Sequence, residues 1–190
     1  MIVYLHGFNS APSSHKAQTM AAWMAAHGLA AQFICPALPH VPDQAIRLAE
    51  AELARHTRER VTLVGSSLGG YYATWLAERH GLRAVLINPA VRPYAGLEGF
   101  LGTQKNLYTA AEYELTREHL AQLRAIEAPR IDPERYLLLL ETGDEVLDWR
   151  EAARRYEGAR MSVRDGGDHT LKSFPDHLPR IAAFAGLGVR

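Results

Sequence analysis

Apolar positions along the chain fall into short, nearly continuous runs, separated by segments whose apolar residues recur at helical spacing. Six runs read as strands: about 2–5 (IVYL), 31–35 (AQFIC), 60–65 (RVTLVG), 84–88 (AVLIN), 136–141 (YLLLLE) and 160–165 (RMSVRD). Continuous rather than alternating apolar character is expected of strands buried on both faces, as in a parallel sheet covered by helices. Ser13 is placed to cap a helix that ends near His27, with Gly28 after it. Asp43, beside Pro42, caps a second helix to about His56. A third covers about 68–80 and stops at Gly81, and two more cover about 148–157 and 173–186, the last with Pro175 in its first turn. Strand and helix alternate from end to end. The pattern therefore predicts one α/β domain over residues 1–190, a minimal six-stranded parallel sheet with helices on both faces.

One connection breaks the rhythm. Residues 89–135 link the fourth and fifth strands and carry Pro89, Pro93, an apolar patch (Leu97, Phe100, Leu101) and a helix near 110–125. Connections this long in a compact domain usually do more than connect. This one reads as a small cap or lid over the sheet edge, or as a structural insertion that enlarges the core.

Composition narrows the partners. The 21 basic and 21 acidic residues cancel, so no basic surplus attracts nucleic acid or an anionic membrane surface. The single cysteine, Cys35, excludes an internal disulfide and a cysteine-based zinc site, and reads as a small buried hydrophobe. No histidine or acidic cluster has metal-ligand spacing, and no phosphate-binding or dinucleotide motif is present, so neither metal nor cofactor is expected. No run reaches ~18 apolar residues, and Met1-Ile2-Val3-Tyr4-Leu5 is not a basic leader. A cytoplasmic chain without a membrane span is the expectation.

The chemistry concentrates in Val64-Gly65-Ser66-Ser67-Leu68-Gly69-Gly70, which contains Gly-x-Ser-x-Gly. The bare pattern is short, but here a buried strand leads into it and a helix leads out. A sharp strand-to-helix turn lifts the Ser67 hydroxyl above the sheet, and Gly65 and Gly69 remove side chains that would clash. A serine hydroxyl needs a base, and the base needs an orienting group. In this arrangement the acid and then the histidine follow the serine in the chain. His169, in Asp165-Gly166-Gly167-Asp168-His169, comes directly after the sixth strand, where ligands of parallel sheets bind. His119 and His177 fall within predicted helices and read as surface residues. Two acids compete at the end of the fifth strand. Asp144 follows Gly143 in the turn and is favoured, while Asp148 reads as the cap of the next helix. Asp165 and Asp168 read as turn chemistry. An oxyanion hole needs two backbone donors. The amide of Leu68 supplies one and that of Phe8, in the loop His6-Gly7-Phe8-Asn9-Ser10, the other, with His6 bonded structurally within the loop. Arg92 is placed either to meet an anionic substrate group or to pair with a surface glutamate.

The stretches YLHGFNS (4–10), VGSSLGGYYATWLA (64–77), NPAVRP (88–93), TGDEVLD (142–148) and GGDH (166–169) resemble the α/β-hydrolase superfamily, and within it the small YqiA-like esterases. The resemblance spans the whole domain. It implies spatial strand order 2-1-3-4-5-6, and hydrolysis of small-molecule esters or thioesters without a cofactor. It puts the nucleophile on Ser67, the acid on Asp144, the base on His169 and the oxyanion hole on the Phe8 and Leu68 amides. Where that family often has Asn before the histidine, this chain has Asp168, placed to raise the histidine's pKa or to offer it a second partner. The alternatives are a non-catalytic binding protein on the same scaffold, or a hydrolase of carbon–carbon or peptide bonds.

Overall fold

The computed structural model describes residues 1–56 and 60–188. Its centre is a six-stranded parallel sheet built from β1 (Ile2–Leu5), β2 (Phe33–Ile34), β3 (Thr62–Ser66), β4 (Arg83–Ile87), β7 (Tyr136–Glu141) and β8 (Arg160–Arg164), in the order β2-β1-β3-β4-β7-β8. That is the implied 2-1-3-4-5-6 arrangement. A short helix, α4 (Pro93–Gly96), and a separate antiparallel hairpin, β5 (Gly102–Lys105) with β6 (Glu112–Leu115), lie in the long connection.

The continuous apolar runs are explained by a two-sided core. Val3 and Leu5 of β1, Ala84 and Leu86 of β4, and Tyr136, Leu138 and Leu140 of β7 face one layer. That layer contains α2 (Pro42–Arg55), α3 (Leu68–His80), α5 (Arg117–Ala125) and α6 (Trp149–Arg155). The alternate residues Ile2, Tyr4, Val85, Ile87, Leu137 and Leu139 face the other layer, made by α1 (His15–Ala26) and α7 (Phe174–Ala185). Successive strand side chains point to opposite faces, so residues buried on both sides leave no polar alternation to read.

Local departures from the sequence reading have local causes. The second strand shrinks to Phe33–Ile34, because residues 30–32 turn as a 3-10 helix and Pro36 follows closely. Ser14, not Ser13, precedes α1, and its side chain makes no capping bond. Val41 rather than Asp43 occupies the cap of α2, with Pro42 at the first helical position. Asp148 does cap α6, accepting from the Arg150 amide. The helix expected near 110–125 begins only at Arg117, since residues 112–115 form the second arm of the hairpin. His119 and His177 are buried rather than at the surface, at 9% and 4% exposure. His119 reaches back into a capping box with Thr116, and His177 pairs with the Ser173 hydroxyl.

Candidate active site

The strand order reverses direction between β1 and β3, and the loops at the carboxyl ends of those two strands open there into a cleft. Ser67 sits between β3 and α3 with φ 54° and ψ −120°. A positive φ is costly for a side chain with a Cβ and persists only where the surroundings fix it. They do so here: the Ser67 amide donates to the Ile87 carbonyl at 3.0 Å, and its own carbonyl accepts from Gly70 at 2.9 Å and Ala90 at 3.1 Å. The turn also requires close backbone approach. A Cβ at Gly65 would collide with the Gly69 carbonyl, and one at Gly69 with the Leu5 carbonyl. Both glycines are thus packing requirements of the bend, whose glycine-free positions elsewhere carry side chains.

His169 arrives from β8, at the sheet edge three strand spacings from β3, roughly 14 Å at ordinary sheet geometry. Its Nε2 lies 3.1 Å from Ser67 Oγ, and its Nδ1 lies 2.9 and 2.8 Å from the two carboxylate oxygens of Asp144. A carboxylate only accepts, so Nδ1 carries the proton and Nε2 presents its lone pair to the Ser67 hydroxyl. The Asp144 side chain is 1% exposed, and its Oδ1 also accepts from the amides of Val146 and Leu147, each at 2.9 Å. Those contacts fix it as an acceptor aimed at the imidazole. Asp168 turns away from the ring: it accepts from the Thr170 amide and hydroxyl and pairs with Lys172 at 3.0 Å. Asp165 accepts from the Thr142 hydroxyl. The turn-forming role expected of both aspartates is the one their contacts describe.

Two polar residues to which the sequence assigns no role, Glu141 and Asn88 beside the insertion, hold the histidine loop across the sheet. Glu141, at the end of β7, is 2% exposed. Its carboxylate accepts from the amides of Asp168 (2.9 Å), Lys172 (3.0 Å) and Ser173 (2.9 Å). Burial pushes this carboxyl's pKa up, but the Ser173 hydroxyl and the three amides together hold it below the usual carboxylate range. Gly167, at φ 73°, lies against it so closely that a Cβ would overlap the carboxylate. Asn88, at the end of β4, donates to the carbonyls of Asp168 and His169 and accepts from the Glu141 amide at 3.2 Å. The available signal was a carboxylate ending a run of four leucines, a costly residue to bury unless its bonds are satisfied.

The loop after β1 packs against the serine. A Cβ on Gly7 would lie 3.2 Å from Ser67 Cβ, which brings the Gly7–Phe8 peptide beside the bend. Leu68 opens α3, so its amide is one of the first-turn donors without an intrahelical acceptor. His6 is 5% exposed; its Nε2 accepts from the Leu38 amide at 3.0 Å, leaving Nδ1–H to donate to the Gly7 carbonyl at 3.2 Å. Burial lowers its pKa, which suits this neutral form. Both ring nitrogens are committed to the loop. The hairpin is tied to the loop after β1: Leu107 donates to the Asn9 carbonyl at 2.9 Å, and Asn9 bonds Gln104 and the Tyr113 hydroxyl. Leu107 and Tyr108, at the hairpin tip, line the cleft with Ser67 and His169. Arg92 lies away from this cleft and pairs loosely with Glu151 at 4.0 Å. Among the described residues no histidine, cysteine or carboxylate group gathers as a metal site, and no helix is long and apolar enough to cross a membrane.

The model of the uncharacterised protein family UPF0227 matches residues 1–186. The UPF0227 protein YcfP of Salmonella paratyphi B is 29% identical over 201 residues, covering 99% of this chain and all (100%) of its relative. Among solved structures, α/β hydrolase domain-containing protein 10 of mouse superposes with TM-score 0.73 at 18% identity, over 97% of this chain and 89% of that one. Monoacylglycerol lipase of Paleococcus ferrophilus does so with TM-score 0.68 at 14% identity, over 97% and 93%. At such identities the likeness is one of fold, and the fold is that of the α/β-hydrolases.

Proposed function

Because the chain belongs to the UPF0227 family and has the α/β-hydrolase fold, we propose that it is a serine hydrolase of carboxylic esters or thioesters. The observation that carries this reading is the unbroken relay Ser67–His169–Asp144, with contacts of 3.1 and 2.8 Å. Ser67 Oγ attacks the acyl carbonyl while its proton passes to His169 Nε2. Asp144 holds the ring and stabilises the imidazolium. The amides of Phe8 and Leu68 receive the oxyanion, in the field of the α3 N-terminus. Collapse breaks the bond to the leaving alcohol or thiol, which takes the proton from His169. Water, activated by the same histidine, then releases the acid and restores the serine. No step requires a cofactor. The insertion acts as a cover, its tip placing Leu107 and Tyr108 over the acyl group.

Lipolytic enzymes and esterases among the structures of similar fold support ester chemistry over carbon–carbon or peptide cleavage. A bare binding protein would have no need of the strain at Ser67. Steady-state hydrolysis of p-nitrophenyl esters and acyl thioesters tests the proposal. Ser67→Ala should lose on the order of 10⁴–10⁶-fold in kcat, and Asp144→Asn about 10⁴-fold. Asp148→Ala, which removes a helix cap and an exposed pair with Arg150, should stay within a few-fold while costing about 1 kcal/mol of stability. Near-normal turnover by Ser67→Ala, or a larger loss at Asp148 than at Asp144, would overturn the assignment.

A further inference from the structure

The relay leaves one wall of the cleft unexplained. The first turn of α1 lies against the Ser67–His169 cleft through Ser14, His15 and Lys16. Ser14 is 7% exposed, occupies the cap position and makes no capping bond; among the described residues its hydroxyl has no hydrogen-bond partner. Ser14 lines the cleft, so this hydroxyl is available to a group bound there. Lys16 is half-buried, and its Nζ donates to the Thr170 carbonyl at 2.9 Å, one residue from the base. An ammonium has three donors, and the one carbonyl occupies one of them. No carboxylate answers its charge directly. Asp144 is bonded to His169, Asp168 to Lys172, and Glu141 to the loop amides. Burial depresses the Lys16 pKa, and the charges of Asp168, Asp144 and Glu141 oppose that effect only in part. A desolvated cation, a free hydroxyl and the unfilled amides of a helix start therefore converge on the cleft where the reacting bond would lie.

We propose that Ser14, Lys16 and the first turn of α1 form an anion-binding subsite, so that the ester or thioester cleaved at Ser67 carries a carboxylate or phosphate group. This rests on the hydrolase reading for its substrate but not for its binding site. Lys16 is here a specificity-determining residue, and a purely structural role in holding Thr170 predicts different behaviour.

Two arms separate these. In the first, kcat/KM is measured for paired esters differing in charge: monomethyl glutarate against methyl 5-oxohexanoate, and 2-butyryloxyethyl phosphate against its dimethyl phosphotriester. Lys16→Ala should lower the anionic-to-neutral ratio about 10–100-fold for whichever anion is recognised. Ser14→Ala should lower it less, and Lys16→Arg should keep most of it. In the second, glutarate and inorganic phosphate are titrated calorimetrically into Ser67→Ala with and without Lys16→Ala. Binding should depend on Lys16, and the tighter anion identifies the source. A ratio unchanged by Lys16→Ala, or anion binding indifferent to it, overturns the subsite while leaving the hydrolase standing. Lys16-dependent anion binding without turnover of any ester sinks the hydrolase reading and upholds the subsite.

Discussion

Ser67 has a backbone conformation that its own chemistry disfavours, and the turn around it enforces that conformation through the Ile87, Gly70 and Ala90 contacts. Strain of this kind costs about 1–3 kcal/mol, and a glycine relieves most of it. Ser67→Gly should therefore raise thermal stability by about 1 kcal/mol, or ~2–4 °C for a chain of this size, while abolishing hydrolysis. Differential scanning calorimetry checks this; a lowered Tm would mean the bend is not strained. Glu141 makes the opposite prediction. Its folded pKa lies below the ordinary value of about 4.3, so its ionised form stabilises the fold above that pH, and the stabilisation fades as pH falls through the folded value. Glu141→Gln presents an amide donor to amide donors, and should cost about 1–3 kcal/mol at pH 7. The gap between variant and parent should narrow below about pH 4. Denaturant titrations at pH 7 and at acid pH measure it, and a gap independent of pH would remove the charge from the explanation.

Elements differ in how plainly the sequence announces them. The four inner strands are obvious, because Val3, Leu63, Val85 and Leu138 are each fully buried within a largely apolar run. The β5–β6 hairpin has no such signature. Its arms, Gly-Thr-Gln-Lys and Glu-Tyr-Glu-Leu, are short, polar and largely exposed, and they join a helix after a single residue. What holds the hairpin is contact with the loop after β1, which no local pattern encodes. Leu107→Pro removes the Leu107 donor to Asn9 and should detach the tip from that loop. If the insertion positions the acyl group, kcat/KM should fall about 5–10-fold with little change in Tm. Unchanged kinetics would reduce the insertion to an enlargement of the core.

At the scale of the molecule, the parallel order of the sheet gathers the carboxyl ends of β1, β3, β7 and β8 along one edge. That explains why Ser67, Asp144 and His169 could be paired from sequence despite lying far apart in it: each follows a strand of the parallel sheet at the same end, although β8 itself is largely exposed. What stayed hidden was how the loop from the edge strand β8 reaches Ser67. The answer, Glu141 beneath it and Asn88 beside it, depends on hydrogen bonds across β4 and β7 rather than on any spacing along the chain. The formal net charge of zero likewise concealed the local arrangement at Lys16. The most direct test of the account is covalent. The native protein is treated with a fluorophosphonate, and the modified peptide is mapped by mass spectrometry. A single adduct on Ser67, absent when His169 is replaced by alanine, is the predicted result. A wild-type protein that stays unlabelled, or an adduct on any other residue, would contradict it.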